Sequence, residues 1–158
     1  MAAVVIADAS PLIALARVDG LGWLQSLFTV VLIPEVVLAE VLTGHFPASE
    51  APIQAALRSG WLRAEATACD EPVLADLDDG EAASIRLALV HGPDVLLLID
   101  ERAGRAVAQE LGLRLAGTAA VIGMARLRGL IPSAKAVFAE LHASDFRIAP
   151  EVIQTVDR

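Results

Sequence analysis

Two short apolar runs of this chain each end in an aspartate: Val4-Val5-Ile6-Ala7-Asp8 near the start, and Leu96-Leu97-Leu98-Ile99-Asp100 in the second half. Neither run alternates apolar with polar residues, and this is the pattern of strands that are covered on both faces. In parallel sheets of that kind, ligands bind beyond the carboxyl ends of the strands. The two runs therefore predict an internal parallel sheet that brings Asp8 and Asp100 to the same edge.

The segments between and after these runs have helical patterns. Ser10-Pro11 predicts an N-cap and a first-turn proline for a helix that stops near Gly20. Further helices are predicted over 34–42, 50–59, 78–90, 101–111 and 118–128, and further strands over 29–33 and 61–64. Strands that alternate with helices indicate βαβ units joined by right-handed crossovers. We therefore expect a single α/β domain over residues 1–158, with 66–77 as a surface excursion.

The charge of the chain is uneven. It is −8 in total, and residues 1–79 hold eleven acids against three bases, whereas residues 80–158 hold nine of each. This distribution argues against a protein that binds nucleic acid through a general basic field. Although 56% of the residues are hydrophobic, no apolar stretch reaches the roughly 20 residues that span a bilayer. We expect no membrane association.

The single cysteine, Cys69, makes an intrachain disulfide impossible and fits a reducing compartment. We expect it to be a small buried residue. The first residues, Met1-Ala2-Ala3-Val4-Val5, lack the basic region of a signal peptide. These features predict a cytoplasmic protein.

Two further carboxylates lie on helices that are expected to pack inward. Glu40 belongs to the segment 34–42, which is apolar nearly all round, so its carboxylate is either buried or a solvated exception. Glu81 follows Asp78 by three residues, as in a capping box. From this segment alone, a cap and a functional site remain equally open.

Asp8, Glu40, Glu81 and Asp100 would repel one another if they were gathered. Each pair about 4 Å apart would cost roughly 4 kcal/mol at an effective dielectric constant near 20. Such a group is stable when it is protonated or when it faces a divalent cation, and oxygen ligands without His or Cys select Mg²⁺ or Mn²⁺. Cations held in this way serve phosphodiester hydrolysis. Alternatively, Asp8 and Asp100 each cap the helix that follows.

Five segments, taken in order, resemble the PIN-domain nucleases, and most closely the branch known as DUF3368 or VapC-like toxins. They are 5–15, Ile33-Pro34 with Glu40-Val41, Gly80-Glu81-Ala82-Ala83, Leu98-Ile99-Asp100-Glu101 with Arg105, and Gly117-Thr118. The resemblance implies a three-layer α/β/α fold with a central parallel sheet of about four to five strands. It also implies an endoribonuclease dependent on Mg²⁺ or Mn²⁺. Such proteins are commonly dimeric toxins of type II toxin–antitoxin pairs, with RNA as substrate and a cognate antitoxin as partner.

The resemblance also assigns roles to individual residues. It makes Asp8, Glu40, Glu81 and Asp100 the four catalytic, metal-holding acids, in chain order.

Three more residues receive supporting roles from the same resemblance. Ser10 and Thr118 match hydroxyl residues that could hold a metal-bound water, although both residue types also cap helices. Arg105 matches an arginine that orients an acid or a phosphate, with a solvated helix residue as the alternative. Glu101 departs from the branch, in which a second Asp is more usual.

Two other classes of protein remain as alternatives. One is a catalytically silent PIN-like module that acts by binding a protein partner. The other is a phosphoryl-transfer domain of the receiver or haloacid-dehalogenase type, but Asp8-Ala9-Ser10 lacks the expected acidic pair or Asp-x-Asp. The basic residues Arg126, Arg128 and Lys135 either contact RNA or form a solvated face.

Overall fold

The computed structural model describes residues 4–67 and 70–144, which form a five-stranded sheet between two layers of helices. The strands are β1 (Val4–Ala7), β2 (Val30–Pro34), β3 (Leu62–Glu65), β4 (Leu96–Leu98) and β5 (Arg114–Ala116). The helices are α1 (Ala9–Arg17), α2 (Leu21–Leu27), α3 (Glu35–Val41), α4 (Pro47–Ser59), α5 (Asp79–His91), α6 (Arg102–Glu110), α7 (Thr118–Leu127) and α8 (Ala134–Ala143). The predicted three-layer α/β/α fold is confirmed.

The strands are parallel, and β1, β2 and β4 are buried on both faces, whereas β3 and β5 at the two edges carry exposed residues. Their order is β3-β2-β1-β4-β5, and Val5 lies opposite Val31 on one side and Leu96 on the other. Successive residues of a strand point to opposite faces of the sheet. Val5 therefore packs into one apolar cluster and Ile6 into the other. Burial on both faces explains why β1, β2 and β4 show no alternation in sequence.

The two apolar clusters define the helical layers. The larger cluster joins the sheet to α1, α2, α3, α4, α7 and α8, through residues that include Leu15, Leu24, Val37, Ile53, Val121 and Phe138. The smaller cluster joins the opposite face to α5 and α6, through Ile85 and Ala108 among others. The sheet is thus a rigid platform with helices on each side.

The order of the strands reverses between β1 and β4. The chain runs outward from β1 to β2 and β3, and then returns to form β4 on the other side of β1. In open α/β sheets, ligands bind beyond the carboxyl ends of the strands at such a reversal. Asp8 directly follows β1, and Asp100 lies just after β4. Both carboxylates therefore arrive at the place where this architecture builds sites.

The first helix starts earlier than predicted, and Ser10 is not its N-cap. Helix α1 begins at Ala9, Asp8 occupies the N-cap position with an extended backbone, and Ser10 lies inside the first turn. The backbone N–H of Asp8 donates to the oxygen of Leu98 at 3.0 Å, which extends the β1–β4 pairing to Asp8 itself. The chain consequently turns from strand into helix with Asp8 as the single residue between them. The side chain of Asp8 makes no N-cap hydrogen bond.

Helix α4 begins at Pro47, whereas the sequence predicts a start at Glu50. The reason is that the carboxylate of Glu50 reaches back beyond the helix, where it accepts hydrogen bonds from the N–H groups of Gly44 (2.8 Å) and Phe46 (2.7 Å). Glu50 thereby fixes the loop before the helix, and Pro47 takes the first helical position, which suits proline.

Three elements were not predicted at all. Strand β5 has only three residues and includes Arg114, so no apolar run marks it. Helices α2 and α8 were also missed. Both bury apolar residues in the larger cluster, such as Leu24 of α2 and Phe138 of α8.

The predicted excursion between β3 and α5 is found, since residues 66–67 and 70–77 form no helix or strand. The expected burial of Cys69 concerns a position outside the described residues. Within the described part of the chain, no helix combines the length and the apolar character needed to cross a membrane.

Candidate active site

Asp8 is a buried acid at the centre of the reversal point. Only 4% of its surface is exposed. The pKa of its carboxyl group is raised from 3.8 to about 6, mainly by burial and also by the charges of Asp78, Glu40 and Asp100, against a hydrogen bond from the N–H of Ala9 that lowers it. The carboxyl group of Asp8 therefore interacts electrostatically with three other acids.

Asp100 is held by Thr118, the first residue of α7. The backbone N–H of Thr118 donates to Oδ1 of Asp100 at 2.8 Å, and its hydroxyl group donates to Oδ2 at 2.6 Å. Thr118 is fully buried, whereas Asp100 keeps part of its surface exposed. Burial raises the pKa of Asp100, whereas the two hydrogen bonds from Thr118 and the charge of Arg105 lower it. Thr118 is thus a donor to an acid in this structure, and Gly117 occupies the N-cap position of α7.

Arg105 is half-buried and lies between Asp100 and the end of β4. Its Nη1 donates to the backbone oxygen of Ile99 at 2.8 Å. A Cβ atom at Gly117 would lie 2.8 Å from Oδ1 of Asp100 and 3.1 Å from Nη1 of Arg105, so only glycine leaves room for both groups. Arg105 is thus bonded to the backbone just before Asp100. Its side chain is therefore not that of a solvated helix residue, which was the alternative.

Glu81 is the most perturbed acid of the site. It is 6% exposed, and burial is the largest cause that raises its pKa from 4.5 to about 8. A hydrogen bond to the carboxyl group of Asp78 and the charges of Asp78, Asp8 and Glu101 add to this shift. Its backbone N–H donates to Oδ1 of Asp78 at 2.8 Å, which makes Asp78 the N-cap of α5. The capping role belongs to Asp78, and the side chain of Glu81 faces the other acids.

Glu40 stands at the exposed rim of the same group. Of the two interpretations of Glu40 the solvated one is found, because α3 buries only Val37 and Val41 although its sequence is apolar nearly all round, and Glu40 is exposed. Partial burial and the charges of Asp78 and Asp79 raise its pKa. Its carboxylate lies against Gly80, where a Cβ atom would collide with Oε1. Glu40 is brought to the site from the solvent side.

Asp78 is a member of the site that sequence reasoning missed. Its charge raises the pKa of Asp8, Glu40 and Glu81. The sequence indicated only a cap. Its position before α5 could have indicated this role, because an N-cap residue lies close to the side chains of the first helical turn, and Glu81 is one of them. We refer below to Asp8, Glu40, Asp78, Glu81 and Asp100 as the acid cluster.

The acid cluster suits a hard divalent cation in its donor chemistry. It consists of carboxylates only, and Oε2 of Glu81 is buried with no hydrogen-bond partner among the described residues. Within residues 4–67 and 70–144, no three acidic, histidine or cysteine side chains already converge closely enough to enclose a metal ion. A cation therefore has to draw the carboxylates together. The donor set fits Mg²⁺ or Mn²⁺, and the side chains would have to move closer together when the cation binds.

The basic residues Arg126, Arg128 and Lys135 do not flank the acid cluster. Helix α7 starts at Thr118, beside Asp100, and ends at Leu127. Ten helical residues span about 15 Å, so Arg126 and Arg128 lie at the far end of α7, and Lys135 lies in the first turn of α8, which follows. Contacts between these bases and RNA would have to involve a region remote from the scissile bond.

A cleft beside β3 and α5 is also separate from the acids. It has a volume of about 410 Å³, and its lining includes Glu65, Thr67, Arg86 and His91. Oε2 of Glu65 and Nε2 of His91 are 2.6 Å apart. None of the acid cluster lines this cleft.

The raised pKa values predict that the metal-free protein loses stability as the pH rises. Asp8 and Glu81 have folded-state pKa values of about 6 and about 8, above their ordinary values of 3.8 and 4.5. Their protonation therefore stabilises the fold, and this contribution is complete below about pH 4 and is lost as the pH rises through the folded-state values. We expect Tm to fall by on the order of 5 °C or more between pH 5 and pH 8.

The D8N variant should show a smaller fall in Tm over this range, whereas E140Q, a change on the exposed face of α8, should behave as the wild type. A Tm that is constant or rises from pH 5 to pH 8 in the metal-free wild type would contradict this prediction.

The hydroxyl group of Thr118 should contribute measurably to stability. T118V keeps the shape of the side chain but removes the 2.6 Å hydrogen bond to Asp100, and a hydrogen bond to a charged group contributes about 1.5–3 kcal/mol. We expect T118V to lower the free energy of unfolding in urea by about that amount at pH 7.5, and T118S, which retains the hydroxyl group, to lose less. Equal stability of T118V and T118S would show that the hydrogen bond is not needed.

Comparison with known proteins places this arrangement in a family. A solved structure with a similar fold is that of a PilT N-terminus domain protein from the hyperthermophilic archaeon Sulfolobus solfataricus P2, with a TM-score of 0.55 and 15% sequence identity over 75% of this chain and 89% of that one. No curated protein matches the chain. The sequence profile of the family DUF3368, described as a PIN domain, matches residues 4–158. The chain therefore belongs to the DUF3368 family of PIN domains.

Proposed function

We propose that this protein is an endoribonuclease that hydrolyses RNA phosphodiester bonds with the help of Mg²⁺ or Mn²⁺. The observation that carries the proposal is the acid cluster at the β1–β4 reversal, in which burial and the charges of neighbouring acids raise the pKa values of Asp8 and Glu81. PIN domains are commonly nucleases, so family membership supports the general class of activity. A cation bound among these acids would lower the pKa of a water molecule and stabilise the charge that develops on the phosphate.

The two aspartates are the proposed direct ligands. Each oxygen of Asp100 accepts one hydrogen bond from Thr118, which fixes the carboxylate and leaves further lone pairs available. Asp8 is fixed through its backbone, because its N–H is bound to Leu98 of the neighbouring strand. Both ligands thus lie at the edge of the rigid sheet, so that a cation would have to move their side chains but would need little ordering of their backbone.

Glu81 and Glu40 complete the negative charge and position water from opposite sides. Glu81 approaches from the buried side and carries an oxygen without a partner among the described residues. Glu40 approaches from the exposed side and can meet a phosphate that arrives from solvent. The roles of Ser10, inside the first turn of α1, and of Arg105 in orienting water or phosphate remain predictions.

The biological setting is a further part of the proposal. The resemblance to VapC-like toxins supports a role as the toxin of a type II toxin–antitoxin pair, with RNA as the substrate, a cognate antitoxin as the partner and a homodimer as the assembly. The single cysteine supports action in the cytoplasm.

The alternative function is that of a catalytically silent PIN-like module that binds a protein partner. It is favoured by one observation: no three potential ligands converge on a common point within residues 4–67 and 70–144. The two functions differ in whether the acid cluster binds a cation and turns over a substrate.

Cleavage of a mixed-sequence single-stranded RNA in the presence of Mn²⁺ distinguishes them. We expect the wild type to cut the RNA, and D8N to lose activity by at least about 100-fold because a direct ligand is removed. The matched control E140Q removes an equal charge from the exposed face of α8 and should retain full activity. Equal cleavage by the wild type and D8N would refute the assignment, and a wild type that neither binds Mn²⁺ nor cuts RNA would support the silent module.

A further inference from the structure

Helix α6 packs against Glu81 through a glycine. Gly104 is buried, and a Cβ atom built on it would lie 2.6 Å from Oε2 of Glu81 and 2.6 Å from Cδ1 of Ile99. Real Cβ atoms essentially never approach other heavy atoms closer than 3.0 Å. Any larger residue at this position would therefore displace the carboxylate of Glu81, the side chain of Ile99, or both.

The backbone does not require glycine at this position. Gly104 lies inside α6 and has an ordinary helical conformation, since its φ is not positive. Apart from proline, glycine is the least favourable residue in a helix interior. Its presence in α6 is explained by what it makes room for, which is the terminal oxygen of Glu81.

That oxygen has no partner of its own in the described structure. The side chain of Glu81 is more than nine-tenths buried, and its Oε2 accepts no hydrogen bond from any described residue. An unpaired carboxylate oxygen in such a place is unfavourable. The space beside Gly104 therefore holds this oxygen without a donor from the described residues.

We propose that Gly104 is a positioning residue for the acid cluster, and that the missing side chain sets the place of Oε2 of Glu81 relative to the cation. The inference rests on the proposed function, because it assigns Gly104 a role in cation binding. It predicts that a single methyl group on α6 weakens binding through Glu81 without any change in the acids themselves.

Binding of Mn²⁺ to the metal-free full-length protein, measured by calorimetry, tests the proposal. We expect G104A to bind Mn²⁺ about tenfold or more weakly than the wild type, as is typical when the support of a ligand is lost. E81D shortens the acid by one methylene group and withdraws its oxygen from the added methyl group. The G104A/E81D variant should therefore bind better than the product of the two single effects predicts.

A matched control comes from α2. Gly22 is also helical, but a Cβ atom there meets no atom within 4 Å. G22A should bind Mn²⁺ as the wild type does. The full set is also made in an I99V background, which removes Cδ1 and leaves Oε2 as the only close contact of the new methyl group.

Thermal unfolding of the same variants without metal provides the second readout. G104A should have a lower Tm than the wild type, and E81D should restore part of the loss. Equal Mn²⁺ affinity of G104A and the wild type, or a double variant in the I99V background that shows no recovery or does not fold, would overturn the proposal.

A wild type that binds no Mn²⁺ would contradict the proposed function and the role of Gly104 in cation binding. The unfolding measurements would then decide separately whether Gly104 and Glu81 are coupled through contact.

Discussion

Asp8 and Glu81 are both more than nine-tenths buried, and each lies beside other acids. A carboxylate in such a place loses its hydration and gains the repulsion of its neighbours, so its charged form is unstable unless a proton or a cation compensates it. Much of the surrounding structure supplies partial compensation. Thr118 gives Asp100 two hydrogen bonds, and Arg105 adds a positive charge beside it. The carboxylate of Glu81 has no such compensation at Oε2, which has no hydrogen-bond partner among the described residues. The proposed cation would supply the missing positive charge.

The fold makes this arrangement sustainable because the acids stand on a rigid platform. β1 and β4 are buried on both faces by apolar clusters, and the N–H of Asp8 is bound to the oxygen of Leu98. The stability gained from that burial offsets the unfavourable acids at one edge of the sheet. Glycines allow the close approach that the acids require, with Gly117 beside Asp100 and Gly104 beside Glu81.

The sequence predicted the parallel sheet because unbroken apolar runs mark buried strands. It predicted that Asp8 and Asp100 meet at one edge because each follows such a strand closely in the chain. The order of five short segments indicated the family. It did not predict how α3 is rotated on the core, since an almost wholly apolar helix carries no polar marker of its exposed side, and Glu40 was expected to be buried for that reason. β5 was missed because three residues that include Arg114 form no pattern. Asp78 and Gly104 were not predicted as parts of the site because both lie against Glu81, and Gly104 does so from a different helix. Local sequence does not reveal which side chain packs against a helical glycine.

The central claim is that the acid cluster at the β1–β4 reversal is a cation site, and a crystal of the protein soaked in Mn²⁺ tests it most directly through anomalous scattering. The account predicts a manganese peak with oxygens of Asp8 and Asp100 at about 2.1 Å, and with Glu81 turned toward it. The absence of a peak at saturating Mn²⁺, or a peak only at another acidic position such as the Glu65–His91 pair, would contradict it.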